Sequence, residues 1–528
     1  MPTGTEGRRD WKRRESFRSA LLQVGVVALL LVGAVAYFVH RGGVRKQTEE
    51  RLRSARAAAQ RGNPADLTQA MKELEALFQV NESSRDGHAL AADIQTVLWL
   101  EHRLPGADAR AREFLGRAEQ LDSRSGERYG ARALHLLAEG KAAEAEKYLE
   151  DLKTQGASSP KLTLALAMAL QARGDLPGAR QAFARAAEVA YRDPRFTTAY
   201  GEALLDEGQY APAMEAFGKA TSVNPDHLLA RVSLALARAW QGRKLEEAQK
   251  TLADLQARDA ELTPVVKSRV GVLKAELALA RGAADEAVQA ADAALQVWPE
   301  DHYALFARAR ALAVKKAPEA RAAFEAAVAK RRTAPLLYLD GARALQGAGD
   351  GPGALALLDA YEATFRPVQV TTADGKQVST LEQDGRYWLA RGGVLEAAGR
   401  QDEALGAYDK AISARGVGLA RAQYAKGALL LARKDYAGAK PLLATVAPDS
   451  GAGTLAEAYT AMGDLLFAQS EYAAGCQHYY FSLVRARSQG TPREELSARI
   501  EGIKKGLESA GQGAMAKAWM TETGVLLQ

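Results

Sequence analysis

Residues 194–227 read PRFTTAYGEALLDEGQYAPAMEAFGKATSVNPDH. The spacing predicts two helices and a tight turn. The first covers about 195–207 and stops at Gly208, because glycine adopts the left-handed conformation of a helix end without steric cost. The second covers about 211–223 and stops at Asn224-Pro225, since proline cannot continue a helix. Gly201 and Ala213 are small, so the two helices can approach closely. Tyr200, Leu204, Phe217 and Ala220 recur at three-and-four spacing on the facing stripes.

This unit is one rung of a ladder. Gly106, Gly140, Gly174, Gly208 and Gly242 are 34 residues apart. Ala111, Ala145, Ala179 and Ala213 follow the first four, and Leu115, Leu149, Phe183 and Phe217 follow those. Three linked positions at one period mark an internal repeat. The unit from 385 repeats the pattern with Trp388, Gly392, Gly399, Ala404, Tyr408 and Ala411. Two gaps interrupt the rhythm, 40 residues from Gly242 to Gly282 and 50 from Gly349 to Gly399. The second gap holds β-like text over 367–380, with Asp374-Gly375 as a type I′ hairpin signal. It reads as a loop insertion at a repeat junction or as a hairpin offered to a partner.

A 34-residue helix-turn-helix resembles the tetratricopeptide repeat (TPR) family when small residues stand at unit positions 8 and 20, an aromatic at 24, alanine at 27 and proline at 32. Here these are Gly201, Ala213, Phe217, Ala220 and Pro225, with Tyr210 at position 17. The resemblance covers about 92–488, roughly ten units. Trp99 departs from it, standing where a small residue is usual. It implies an all-α fold, an α-solenoid of about ten TPR-like repeats. It also implies that the first helix of each unit lines a concave groove for peptides or partner helices. Carried onto this chain, the groove positions include Lys161, Leu164, Met168, Gln171, Arg195, Thr198, Glu202, Leu205 and Asp206. Further along they include Arg386, Leu389, Glu396, Arg421, Tyr424, Asp464 and Phe467.

Residues 20–39 carry no charge and, as a helix, rise about 30 Å, the thickness of a hydrocarbon core. Six basic residues precede the run and Arg41, Arg45 and Lys46 follow it, which favours a cytoplasmic N-terminus. Ala34-Val35-Ala36 has the form of a signal-peptide cleavage site, but the apolar run continues through Tyr37-Phe38-Val39, which favours a retained anchor. Residues 1–46 hold nine Lys or Arg against three acids, which accounts for the net charge of +6. The other 482 residues are neutral, so the basic pI does not indicate a nucleic-acid surface.

The expected organisation is a basic N-terminus at 1–19, a transmembrane helix at 20–39 and juxtamembrane helices or a degenerate first repeat at 40–91. The array follows at 92–488, with the insertion at 367–384, and capping helices at 489–528 close it. Catalytic motifs of the G-x-S-x-G, H-E-x-x-H and P-loop types are missing from the sequence. Cys476 and His478 are two apart on a predicted helix and point apart. His135 and Tyr479 read as packing residues, and Lys330-Arg331-Arg332 as a solvated helix end. The reading is a non-enzymatic scaffold that needs no cofactor or metal. Its partners are proteins, with no nucleic acid and no small-molecule substrate, and it meets the membrane through its N-terminal helix. Its place is the bacterial inner membrane, with the body in the periplasm serving a secretion, pilus, motility or envelope-assembly machine. The rival is a chaperone-like binder of exported clients.

Overall fold

The computed structural model describes residues 6–371 and 375–527, with side chains from Leu22 onward. Among them are 27 α-helices and one two-stranded sheet. Between Arg85 and Ser488 the helices pair eleven times, each pair a helix-turn-helix unit. Pro194–Asp206 with Tyr210–Val223 and Gly385–Ala397 with Gln401–Ala414 are two of them. The first helix of each unit packs on its own partner and, at nearly every step, on the first helix of the next unit, which makes an α-solenoid. The opening helix of the paired array spans Arg85–Leu100, so the boundary expected at 91/92 falls inside a helix.

The ladder glycines have φ between +67° and +86°. Where the rhythm lacks glycine, Lys316, Lys434 and Ser470 adopt φ of +54°, +62° and +64°. The turn geometry is therefore kept at a steric cost of about 1–2 kcal/mol each. Within units, a Cβ on Gly201 would sit 2.5 Å from Phe217, one on Gly392 2.4 Å from Tyr408, and one on Gly463 2.7 Å from Tyr479. The aromatic of the second helix lies flat against a first helix that has no side chain there.

The N-terminal helix, Glu6–Ala59, is unbroken for 54 residues. From Leu22 it is long and apolar enough to cross a membrane, and the rest of the chain leaves its apolar stretch uncovered. Its other end buries Leu52, Ala55, Ala58 and Ala59 against Leu67, Met71 and Leu74 of helix Pro64–Val80. The apolar segment and the first helix pair thus share one continuous rod.

The Gly62-Asn63-Pro64 break does more than separate two helices. The Asn63 side chain donates to the Asp226 carbonyl at 3.0 Å and accepts from the Leu228 amide at 3.0 Å. Asn224 Nδ2 donates to the Arg61 carbonyl at 2.7 Å. A Cβ on Gly62 would lie 2.8 Å from Arg195. The coil therefore touches itself one superhelical turn later.

Strands Gln369–Thr371 and Gln377–Ser379 pair antiparallel, with Thr371 opposite Gln377. That register leaves residues 372–376 as the connection, longer than a two-residue type I′ turn. Asp374 lies outside the described residues, and Gly375 has φ +81°. The base of the hairpin faces an earlier turn of the coil, where a Cβ on Gly174 would meet Val368 at 3.2 Å.

Gly392→Ala should destabilise the protein by about 1–3 kcal/mol, because Tyr408 must move. Lys434→Gly should stabilise it by about 1 kcal/mol by releasing the left-handed strain. Thermal melts of the two variants check both signs.

Candidate partner-binding face

The inner face of the solenoid divides into two regions. Along the first units its floor is filled by the chain's own polar side chains. Asp206 ends helix Pro194–Asp206 and is 3% exposed. Its carboxylate accepts from Tyr303 Oη at 2.7 Å, from Arg331 at 3.0 and 3.1 Å, and from Gln171 Nε2 at 3.2 Å. His302 Nε2 lies 3.2 Å away. Burial alone pushes this carboxyl upward, but Arg331, His302 and Tyr303 outweigh it and hold it well below the usual carboxylate range.

Glu202 accepts from Arg269 Nη2 at 2.9 Å and from Ser233 Oγ at 2.5 Å. Arg269 lays its guanidinium 3.6 Å over the Tyr303 ring; among the described residues its Nε and Nη1 find no hydrogen-bond partner, although Nη1 lies 3.8 Å from the Asp301 carboxylate. Arg195 grips Asp193 with two nitrogens, at 3.0 and 2.7 Å. Lys161 pairs with Asp93.

Beside these groups lies a partly open chamber of about 430 Å³, with Met168, Gln171, Arg195, Glu202 and Asp206 in its wall. With Leu164 and Thr198, the structure thus brings together seven of the nine groove positions expected between 161 and 206, leaving out Lys161 and Leu205. It turns most of their polar atoms onto one another.

Three wall residues were not singled out from the sequence. His102 and His227 are buried; burial and neighbouring cations push them down to about 3 and about 4. Burial raises the Glu101 carboxyl to about 7. Their signal in sequence was slight, a Glu-His pair at a helix end and a histidine after Asn-Pro-Asp.

The second region is an open groove of about 1010 Å³ between the units at 335 and 456. Leu336, Leu339, Leu389 and Val417 supply its apolar wall, and Arg343, Arg386, Arg421, Tyr424 and Glu457 its polar rim. Val417 is 64% exposed between Gly416 and Gly418. Arg386 is the tethered member of the expected set: it holds Asp384 at 3.2 Å and donates to the Glu207 carbonyl. Tyr424 also borders a neighbouring hollow of about 660 Å³ with Asp464. Glu396 and Asp464 accept from the tyrosines of their own units, Tyr408 and Tyr479, each at 2.5 Å.

Other sequence features resolve into packing. Arg331 departs from the expected solvated helix end by reaching Asp206, while Lys330 pairs with Glu300 at 2.9 Å. His135 is buried beside Thr96 and Trp99. His478 sits near the carbonyls of Ala474 and Ala447, at 3.0 and 3.2 Å, and Cys476 packs toward the closing helices. Among the described residues, no group of three His, Cys, Asp or Glu is placed to hold a metal.

No family model matches the sequence, and no curated protein matches it. Solved structures similar to the chain include the human IFIT1 dimer with PPP-AAAA, at 20% identity over 77% of this chain and 93% of that one, TM-score 0.42. Yeast Tom70 is similar at 14% identity over 88% and 96%, TM-score 0.41. The APC/C hetero-tetramer Cut9–Hcn1 is similar at 12% identity over 83% and 93%, TM-score 0.37. The fold is an α-solenoid of TPR-like helix-turn-helix repeats with one apolar N-terminal helix.

Asp206→Ala should cost about 1–3 kcal/mol, since it takes the acceptor from buried Tyr303 Oη and Gln171 Nε2, whereas the part-exposed Arg331 can turn to water. A thermal melt reads this directly.

The chamber also sets a pH dependence. Unfolded histidine titrates near 6.5, so between about pH 4 and 6.5 the unfolded chain binds protons that folded His102 and His227 refuse. Their contribution is whole above pH 6.5 and is lost as pH falls. Glu101 works in the opposite sense, because between its ordinary 4.5 and about 7 the folded carboxyl holds a proton the unfolded one has released. Wild type, in which His135 and His88 are also held low, should therefore lose stability between about pH 7.5 and 5.5, with Glu101 offsetting only part of the loss. Glu101→Gln should steepen that fall, by on the order of 1.4 kcal/mol per pH unit. Parallel melting curves for the two proteins would contradict the assignment.

Proposed function

We propose that the chain is a non-catalytic protein–protein scaffold, held at a membrane by its N-terminal helix, that takes a protein partner in the open groove of its C-terminal half. The observation that carries this reading is the groove itself. In the first units most polar side chains of the inner face are engaged in internal ion pairs and hydrogen bonds, and the space left is about 430 Å³. Between the units at 335 and 456, Leu389, Val417 and Arg421, which has no ion pair among the described residues, remain presented to solvent. A peptide or amphipathic helix that covers Leu389 and Val417 gains from apolar burial, and the rim charges fix its register. Tethering the array to a membrane raises its effective concentration for membrane-bound partners.

The basic residues before the apolar run support a cytoplasmic N-terminus and a body across the membrane. The setting we propose is a bacterial inner membrane with a periplasmic array, organising a secretion, pilus, motility or envelope-assembly machine.

The test is site-specific photocrosslinking from position 389 or 424 of the full chain in native membranes, followed by pull-down. One or a few stoichiometric protein partners are expected, with recovery falling about tenfold or more for Tyr424→Ala/Arg421→Glu. Many substoichiometric exported chains would replace the scaffold reading with a client-binding one. Undiminished capture by the double variant would remove the groove from the account.

A further inference from the structure

Two loop tips, residues 81–86 and 122–124, rest beside the N-terminal helix just past its apolar stretch. Asn81 Nδ2 donates to Thr48 Oγ1 at 3.5 Å. Between helix and loops lies a crevice of about 1120 Å³. Phe38, 68% exposed, forms its low end. Arg41, Arg45, Arg85 and Arg124 stand above, with the hydroxyls of Ser83 and Ser123. At 1.5 Å per residue, Thr48 lies about 14 Å beyond Val39 along the helix. A crevice of that reach starts at the hydrocarbon edge and passes through a headgroup layer about 5–8 Å deep.

Three carboxylates share the lining. Glu49 is held by Arg45 at 2.9 Å and Asp122 by Arg124 at 3.2 Å. Asp86 stands in the first turn of helix Arg85–Leu100, at its positive end. Arg41 has only the Tyr37 hydroxyl, at 3.3 Å and from its own helix, and the face of that ring. Arg85 makes no ion pair among the described residues. Arg41, about one helical turn beyond the exposed Phe38 ring, and Arg85, across the crevice on the loop side, thus line it without an ion pair among the described residues.

We propose that this crevice binds an anionic phospholipid, its phosphodiester between Arg41 and Arg85 and an acyl chain along Phe38. The guanidinium fork matches phosphate oxygens, and the apolar floor distinguishes a lipid from a free phosphate. The bound lipid would fix how the repeat array is turned relative to the membrane surface. The proposal rests on the membrane-anchored reading.

The test uses the full chain in mild detergent and native mass spectrometry with added phosphatidylglycerol or phosphatidylcholine. Wild type should retain phosphatidylglycerol in preference, and Arg41→Gln/Arg85→Gln should weaken that retention by about fivefold per arginine removed. The control Arg321→Gln/Arg400→Gln, of equal charge change, should retain it as wild type does, and excess glycerol 3-phosphate should not displace it. Circular dichroism melts confirm that each variant is folded. Equal retention of the two lipids, unchanged retention in the Arg41/Arg85 variant, or displacement by glycerol 3-phosphate overturns the proposal. Alkaline carbonate extraction is the separate check. Release of wild type from membranes would overturn the anchored reading itself, whereas an integral protein without lipid preference would overturn the crevice alone.

Discussion

Asp206 places a carboxylate out of water at the end of its helix, where a lone charge would cost several kcal/mol. Its donors come from two other units. Gln171 belongs to the neighbouring one, and His302, Tyr303 and Arg331 to the one that begins three units along. A solenoid whose units met only in sequence order could not bring them together. The coil must therefore be wound tightly enough for its inner faces to converge, and the Asn63–Asp226 and Asn224–Arg61 hydrogen bonds at its edge meet the same requirement. The consequence is an asymmetry in function. The first half of the inner face is crossed by the chain's own ion pairs and keeps a space of about 430 Å³, whereas the second half carries a groove of about 1010 Å³.

That winding begins with small local choices. A left-handed residue between the helices sets each turn, and a glycine or alanine under an aromatic sets the distance between the helices. Each contact is short-range, and repetition converts it into a superhelical pitch. The N-terminal rod joins this scheme without a hinge, because Leu52 to Ala59 belong to the first helix pair while the same helix carries the apolar stretch. Motion of the apolar segment and of the array are mechanically coupled.

Much of this was legible in the sequence. The glycine period fixed the helix ends, and positions such as Gly201 and Phe217 revealed which faces meet. Part of the inner face was legible too, since Met168, Gln171, Arg195, Glu202 and Asp206 line one chamber. Whether that face was empty could not be read, because it depends on contacts between residues more than a hundred positions apart, such as Arg331 with Asp206. The same distance hid the role of Lys330-Arg331-Arg332, which looks solvated when only its own helix is considered. The ladder also continues further than glycine alone suggests. Lys316, Lys434 and Ser470 hold the left-handed turn, and their identity conceals it.

The central claim is that the coil closes on itself near Gly62-Asn63, and thiol crosslinking tests it most directly. Cysteines placed at Asn63 and Asp226 in a Cys476→Ser background would be treated with a short bis-thiol reagent on the folded full chain. The account predicts rapid, near-complete intramolecular crosslinking, lost when Asp206→Ala is added. Two cysteines that each react freely with a monofunctional reagent yet fail to crosslink would contradict it.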